Sequence, residues 1–332
     1  MKKTLLYILA LALLLPLAGC STQPRPPLRT GPSLHLYVDL PADGSYWVEA
    51  TDRHVGRYAY LGEALRIEGV SRFVYQFHVV GRTRSGETRL AITPRFYTVD
   101  DWLVSPHGDR MRPPEVETLL ETMEAVIRNH PFTITLGPQG DILDSKGLTE
   151  LEDALAGIIG RHDIRFDPME PPQREAWRRV FMTHIDERPI RRHLDQAFAF
   201  LPGGLVRLGD RWTEKPANQP WPFMPTTESI RLIDRQGDHY LLTTETEFTP
   251  PPESDWPTYT GSRSGSIQLD AKTRLGVAQQ ESIHWKRKRK RTPWEQFTLM
   301  EVEGATSIRI TEGPVSRSPE LFAIDRYPFL EQ

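Results

Sequence analysis

Alternating apolar and polar positions predict strands in the first third of the chain. Residues 34–40 carry an apolar side chain at every second position, and residues 73–79 repeat the pattern. A further β-rich run, residues 90–99, contains Pro94. Alternate side chains of a strand point to opposite faces, and clean alternation is typical of antiparallel sheets with one lightly covered face. We therefore expect antiparallel strands here.

In the middle of the chain, the apolar residues are spaced with the period of a helix. Residues 116–127 place apolar side chains three and four positions apart, with Pro113 and Pro114 before them and Pro131 after them, which predicts a helix. A short strand at 132–136 is expected to turn at 137–140 into Ile142 and Leu143. Further helices are expected around 151–159, where Thr149 and Glu152 form a capping box, and at about 173–185 and 188–200.

From Leu205 onwards the pattern returns to strands. Paired apolar positions mark them at Val206 and Leu208, Ile230 and Leu232, Tyr240 and Leu242, Ile267 and Leu269, Ile283 and Trp285, Phe297 and Leu299, and Ile308 and Ile310. Residues 270–273 are expected to form a hairpin turn. The predicted fold class is α+β: one curved antiparallel sheet from the N- and C-terminal strand clusters, with the central helices packed on its concave face. Two domains, split near 201–205, are the alternative.

The first nineteen residues have the layout of a signal peptide. Lys2 and Lys3 precede an apolar run at 5–17, which is shorter than the ~20 residues that a membrane-spanning helix needs. Residues 17–20, Leu-Ala-Gly-Cys, resemble the lipobox of bacterial lipoproteins. The resemblance implies cleavage before Cys20 and lipid on its sulfur. An ordinary secreted protein is the alternative.

The resemblance also implies a location. In Gram-negative lipoproteins an Asp after the lipidated cysteine often marks retention in the inner membrane, so Ser21 favours the outer membrane, facing the periplasm. The Gram type of the host stays open. The expected partners are the membrane, through the lipid on Cys20, and envelope polyanions or lipid, but no nucleic acid.

Composition indicates a folded body behind the anchor. Loss of Lys2 and Lys3 takes the formal net charge from −3 to −5, and the 38% of hydrophobic residues, with eight Trp, argue against wholesale disorder. Residues 20–33 contain four prolines and are expected to form a semi-rigid tether. The body is expected at 34–312, followed by a tail at 313–332. No disulfide is available once Cys20 is acylated.

Three short motifs in the body carry a second resemblance. Residues 201–204 (Leu-Pro-Gly-Gly), 209–212 (Gly-Asp-Arg-Trp) and 265–270 (Gly-Ser-Ile-Gln-Leu-Asp) occur in an order that is similar to a group of uncharacterised bacterial lipoproteins whose body is a domain of unknown function. The resemblance covers most of the mature chain and implies no activity.

Motifs for catalysis are not found. His130, His162, Asp163 and Asp195 have spacings that resemble metal-dependent phosphohydrolases, but that fold is all helical, and exposed residues on amphipathic helices explain them better. The chain has no His-Glu-x-x-His or Gly-x-Ser-x-Gly motif and no phosphate-binding glycine loop. Residues 261–265 are expected to be a flexible loop. We expect no catalytic residue, metal or cofactor.

A run of six cations is the most unusual stretch of the chain. It comprises Lys286, Arg287, Lys288, Arg289, Lys290 and Arg291, between Trp285 and Trp294. Six like charges cannot lie in a core, so the run is expected to project into solvent, either as a solvated hairpin or as an anion-binding site for envelope polyanions. The expected function is a non-enzymatic binding or carrier module. A periplasmic hydrolase with an unrecognised site is the alternative.

Overall fold

The computed structural model describes residues 30–60, 63–104, 108, 110–112, 114–161, 189–198, 200–214, 226–248, 259–287 and 297–313. These residues form fourteen strands and three helices. The strands are β1 (Thr30–His35), β2 (Ser45–Tyr60), β3 (Glu63–Arg82), β4 (Thr88–Val104), β5 (Arg110–Met111), β6 (Phe132–Leu136), β7 (Ile142–Lys146), β8 (Leu205–Leu208), β9 (Arg211–Glu214), β10 (Thr226–Gln236), β11 (His239–Phe248), β12 (Tyr259–Asp270), β13 (Gly276–Arg287) and β14 (Phe297–Thr311). The helices are α1 (Pro114–Arg128), α2 (Leu148–Arg161) and α3 (Pro189–Phe198).

Twelve of the described strands form one antiparallel sheet. Its order is β7-β6-β4-β3-β2-β14-β13-β12-β11-β10-β9, and β5 pairs with β4 beside this path. β2 pairs with β14 along nearly its whole length, so strands from the two ends of the chain are neighbours. β1 and β8 form a separate two-stranded sheet.

One face of the central strands, which we call the inner face, carries the hydrophobic core. Val48 on β2 and Phe73 and Phe77 on β3 are fully buried there. α3 covers them: the His193 ring lies 5.8 Å from the Phe73 ring, and the Phe198 ring lies 5.6 Å from the Phe77 ring. Burial of each such aromatic side chain stabilises the fold by about 1.5–3 kcal/mol. The opposite face is called the outer face.

The predicted α+β class is wrong, because the described chain is mainly β. Instead of the expected layer of central helices, the described residues contain three short helices of 15, 14 and 10 residues. β2, β3 and β4 have 16, 20 and 17 residues, far more than the alternating windows in the sequence. No strand is predicted for β2, because Asp52, Arg53 and His54 interrupt its alternation. Because polar residues lie on both faces of these strands, the sequence shows no apolar–polar alternation over much of the sheet.

Several individual elements are confirmed. α1 buries the predicted stripe, including Val116 and Ile127, and β6 has the predicted bounds. α3 falls within the predicted helix at 188–200, whereas the helix predicted at 173–185 lies outside the described residues. The expectation of a flexible loop at 261–265 is wrong, because these residues belong to β12.

The hairpin turn at 270–273 is confirmed, and Asp270 stabilises it. Its Oδ1 accepts hydrogen bonds from the Thr273 amide at 2.6 Å, the Thr273 hydroxyl at 2.7 Å and the Lys272 amide at 3.1 Å. Burial alone would raise the pKa of Asp270, but these hydrogen bonds to its charged form lower it below the ordinary value. The turn connects β12 to β13, and β13 forms one wall of a groove on the outer face.

Candidate binding groove

Two neighbouring rows of outer-face side chains cross five central strands, β13, β14, β2, β3 and β4. The first row is Ser282, Ala305, Arg53, Val70 and Asp100; the second is His284, Glu303, Val55, Glu68 and Trp102. Together with Arg110 they line a groove of about 520 Å³, which we call the outer groove. Its volume falls in the range of about 300–1,000 Å³ typical of small-molecule sites.

The floor of the outer groove is apolar. Val55, Val70 and Ala305 contribute side chains from three adjacent strands. Between the two rows, Gly69 and Gly304 contribute backbone alone. An apolar floor of this kind favours an apolar group of a ligand, because its burial removes hydrocarbon from water.

Ion pairs line one end of the groove. Arg57 on β2 donates hydrogen bonds to Glu301 at 2.6 Å and to Glu303 at 3.2 Å, both on β14. His284 Nε2 lies 3.1 Å from Glu301 Oε1, and Lys286 Nζ lies 3.7 Å from the same oxygen. Burial alone would raise the pKa of Glu301, but the hydrogen bond from His284 and the charges of Arg57 and Lys286 lower it. Glu301 is therefore held in its charged form.

A second set of ion pairs lines the other end, near Trp102. Glu68 lies 2.6 Å from Arg66 and 3.0 Å from Arg110. Arg112 donates to Asp100 at 2.8 Å, and its guanidinium lies 4.6 Å from the centre of the Trp102 ring, within the range of a cation–π interaction. Trp102 Nε1 also donates to Asp100 at 2.8 Å. These contacts fix the orientation of the Trp102 ring at the end of the apolar floor.

The charge around the groove is balanced before the basic run is counted. In the described chain, the lining residues of the outer face and the ion-pair network that they join include five arginines, Arg53, Arg57, Arg66, Arg110 and Arg112, against five carboxylates, Glu68, Asp100, Glu117, Glu301 and Glu303. Lys286, the first residue of the basic run, adds one cation beside Glu301. Residues 287–291 add five cations in sequence. The protein as a whole is acidic, so this is a local reversal of its charge.

A metal does not fit this charge network. His284, Glu301 and Glu303 are the one group of three ligand-bearing side chains close enough to share an ion in the described part of the chain. Arg57 holds both carboxylates, and Lys286 approaches Glu301. A divalent cation would have to displace two positive side chains, so the group is better explained as a set of ion pairs.

Of the residues predicted for lipid attachment and anion binding, two are described. Lys286 is exposed on the outer face at the end of β13, two residues beyond His284, and Arg287 is the last residue of the strand. Cys20 and residues 288–291 lie outside the described residues. The start of the basic run is thus placed beside the outer groove.

The residues with metal-like spacing are not brought together where they can be located. His130 is exposed at the end of α1, where its Nδ1 lies 2.9 Å from the Val126 carbonyl oxygen. Asp195 lies on α3, and His162 and Asp163 are outside the described residues. Neither His130 nor Asp195 belongs to the group of three potential ligands found in the described chain.

No pattern in the sequence predicts the outer groove. Its floor comes from single apolar residues such as Val55 and Val70 within polar stretches, and no periodic signal marks them. The polar segment 52–54 in the middle of β2 could have indicated a strand that carries polar and charged side chains on both of its faces. Register between five strands, however, is not readable from one sequence.

Comparisons with known structures give low similarity. A structure described as lipid–protein interactions in lipovitellin has a TM-score of 0.46 and 6% identity; the match covers 84% of this chain and 26% of that chain, so the chain spans about a quarter of lipovitellin. An outer membrane channel from Pseudomonas putida has a TM-score of 0.19 and 7% identity, covering 83% and 98% of the two chains. A DUF1329 family protein from Desulfovibrio piger has a TM-score of 0.14 and 10% identity, and the match covers 82% of this chain and 88% of that chain.

Sequence comparison assigns the body to a family. No curated protein matches the chain. In the described residues, no helix combines the length and the apolar character that crossing a membrane requires. A family model matches residues 108–275, half of the chain, including the motif at 209–212. The expectation of an uncharacterised domain is thereby confirmed, and the chain belongs to a family of unknown function, DUF6263.

Proposed function

We propose that this protein is a lipid-anchored lipoprotein of the bacterial envelope, in the outer membrane facing the periplasm, and that its outer groove binds an amphiphile with an anionic head group without catalysing a reaction. The observation that carries the binding proposal is the groove itself, which has a volume of about 520 Å³, an apolar floor and ion pairs at both ends.

The anchor is supported by the sequence. Cys20 is the only cysteine of the chain and directly follows Leu-Ala-Gly behind an apolar run. Each methylene of an acyl chain contributes about 0.8 kcal/mol to membrane binding, and more than one chain is needed for a stable anchor. Acylation of both the sulfur and the new amino group of Cys20 would meet that need.

The anionic head group is supported by charge. Arg53 lines the groove, and Lys286 lies at its end on the same face as His284. The cations at 287–291 continue from Lys286 in sequence. An anion at this end would gain from the positive charges of Arg53 and Lys286, whereas its hydrocarbon part would lie on Val55, Val70 and Ala305.

The non-enzymatic role is supported by the way the groove uses its carboxylates. Glu68, Asp100 and Glu303 are each in an ion pair with an arginine. The oxygens of a carboxylate that is engaged with a guanidinium are less available to position and deprotonate a water molecule. The hydrolase alternative therefore gains no support from this site.

Two measurements test the proposal. Metabolic labelling with palmitate is expected to mark the wild-type protein and not Cys20→Ser, which should leave the membrane fraction; equal labelling would refute the anchor.

For the groove, the Cys20→Ser chain is titrated with dodecyl phosphate and with dodecyl maltoside below their micelle-forming concentrations. Saturable binding that is tighter for the phosphate is expected, and equal affinity for the two head groups would contradict the anionic preference.

A further inference from the structure

The apolar floor of the outer groove is a line that is one side chain wide. Four adjacent strands, β14, β2, β3 and β4, contribute one apolar side chain each, in the order Ala305, Val55, Val70 and Trp102. These side chains alternate between the two rows of the groove, and we call them the apolar track. In the other row, the same strands carry charged side chains, in the order Glu303, Arg53, Glu68 and Asp100. The apolar track is therefore bordered by a charged residue on every strand.

The apolar track has room for one hydrocarbon chain. Neighbouring rows on one face of a strand are about 7 Å apart, and the carbon atoms of packed chains are about 4 Å apart. A second chain beside the first would cover Glu68 and Glu303, which are both ion-paired with arginines. To remove charged groups from water beneath hydrocarbon is costly. The groove therefore favours a ligand with a single chain.

Trp102 closes one end of the track. Its Nε1 donates a hydrogen bond at 2.8 Å to Asp100, two residues earlier on β4, so the ring lies along β4 and across the end of the track. Arg112 restrains the ring, because its guanidinium lies 4.6 Å from the ring centre and 3.8 Å from Glu117 on α1. Beyond Trp102, β5 pairs with β4 and brings Arg110 to the groove. A chain that lies on the track therefore meets a restrained aromatic ring.

The opposite end of the track is open and polar. Ser282 and His284 of β13 border it, and Ser264 and Ser262 lie opposite them on β12. Both β12 serines are exposed, and their side chains are too short to close the groove. Lys286 lies two residues beyond His284 and begins the basic run. A charged head group therefore fits the β13 end, and the tail of the ligand points towards Trp102.

The distance between the two ends limits the length of the chain. Four strand-to-strand steps lead from β13 to β4, which corresponds to about 19 Å. Contact with the Trp102 ring takes about 4 Å of this distance. An extended peptide advances about 3.3–3.6 Å over three bonds, so an extended hydrocarbon chain advances about 1.2 Å per bond. The remaining distance of about 15 Å thus accommodates about twelve bonds.

We propose that the outer groove selects an anionic amphiphile with a single hydrocarbon chain of about twelve carbons, and that Trp102 sets this limit by stopping the chain. This inference rests on the proposed function, because it specifies the ligand of the same groove. A shorter chain leaves part of the apolar track in contact with water. A longer chain has to bend away from the track, so its additional methylenes stay in water and contribute nothing.

Calorimetric titration with alkyl phosphates of increasing length tests the limit. The Cys20→Ser chain is titrated with octyl, decyl, dodecyl and tetradecyl phosphate below their micelle-forming concentrations. Affinity should rise about twofold to fourfold for each methylene up to dodecyl phosphate, and tetradecyl phosphate should bind no more tightly than dodecyl phosphate. The isomer 2-butyloctyl phosphate has the same head group and twelve carbons in branched form. It should bind about tenfold or more weakly than dodecyl phosphate, because only one branch lies on the track.

Two variants move the limit, and a third is their control. Trp102→Ala should allow tetradecyl phosphate to bind about fourfold or more tightly than dodecyl phosphate. Val70→Trp places the stop one strand closer to β13, so the gain should end about four bonds earlier, at octyl phosphate. Trp47→Ala is the matched control. Trp47 lies on the same face of β2, six residues before Arg53, and its ring also packs against an arginine, with Arg95 5.8 Å from the ring centre. Trp47→Ala should keep the wild-type ratio of the two affinities.

The outcomes separate this inference from the proposed function. If none of the alkyl phosphates gives a saturable isotherm, both are overturned. The limit set by Trp102 is overturned, and the groove stays the binding site, if tetradecyl phosphate gains over dodecyl phosphate as much as dodecyl gains over decyl. Equal ratios for Trp102→Ala and Trp47→Ala overturn it as well. Binding of the branched isomer as tight as that of dodecyl phosphate overturns the preference for a single chain. Val70→Trp keeps the limit testable if Trp102→Ala does not fold.

Discussion

His193 on α3 and Asp52 on β2 form a partly buried pair between residues 141 positions apart, with Nε2 2.7 Å from Oδ2. The pair fixes α3 on the inner face, beside the aromatic contact of His193 with Phe73. A helix that reaches across the sheet in this way connects the middle of the chain to its N-terminal strands.

Removal of the carboxylate should destabilise the protein. We expect Asp52→Ala to lower the free energy of unfolding by about 1.5–3 kcal/mol, because His193 is left without its charged partner. Urea unfolding followed by circular dichroism measures this. Asp238→Ala, at an exposed turn position, should change the free energy by less than about 0.5 kcal/mol. Equal midpoints for the two variants would contradict the role of the pair.

Gly140 should be far less tolerant of substitution than Gly204. Gly140 has φ of +88°, and a Cβ there would lie 1.9 Å from the Phe198 backbone oxygen at the end of α3, whereas a Cβ on Gly204 meets nothing within 4 Å. Gly140→Ala should therefore cost more than about 1 kcal/mol, and Gly204→Ala should leave the midpoint unchanged or raise it. Thermal unfolding compares them; a loss for Gly204→Ala as large as that for Gly140→Ala would exclude this steric explanation.

The sequence predicts local elements better than their assembly. α1 follows from a strong apolar stripe between prolines, and the turn at 270–273 follows from turn-forming residues; both are local signals. β2 is missed because its inner and outer faces both carry charged residues, such as Asp52 and Arg53, so that no alternation is visible. The outer groove depends on register across five strands, which is a long-range property of the sheet.

Acid should weaken the ion pairs of Glu301. Its pKa is lowered in the folded protein, so its contribution to stability is fully present above the unfolded value of about 4.3 and is lost as the pH falls through the lower folded value. Glu301→Gln should reduce stability at neutral pH and flatten the loss of stability in this acidic window. Denaturant unfolding from neutral pH to below pH 4 measures the slope. Parallel curves for wild type and Glu301→Gln would show that another group causes the pH dependence.

The basic run should contribute a salt-dependent part of anion binding. Replacement of residues 286–291 by alternating Ser and Thr should keep the fold and sharply weaken binding to anionic vesicles, because these charges act within a screening length of about 8 Å at physiological salt. Wild-type binding should weaken as salt rises. Vesicle sedimentation at two salt concentrations measures both effects. Equal binding of wild type and variant at low salt would mean that the basic run is exposed to solvent and does not contribute to anion binding.

The most direct test of the account is to fill the outer groove. Ala305 lines the groove, and Ser307 lies two residues further along the same face of β14, outside it. Both are exposed, so Ala305→Trp and Ser307→Trp add the same side chain to similar surroundings. Calorimetric titration of dodecyl phosphate into the Cys20→Ser chain and its two tryptophan variants is the measurement. We predict that Ala305→Trp weakens binding by about tenfold or more, since the apolar floor is occupied, while Ser307→Trp binds as the parent does. Equal affinity of Ala305→Trp and Ser307→Trp for dodecyl phosphate would contradict the outer groove as the binding site.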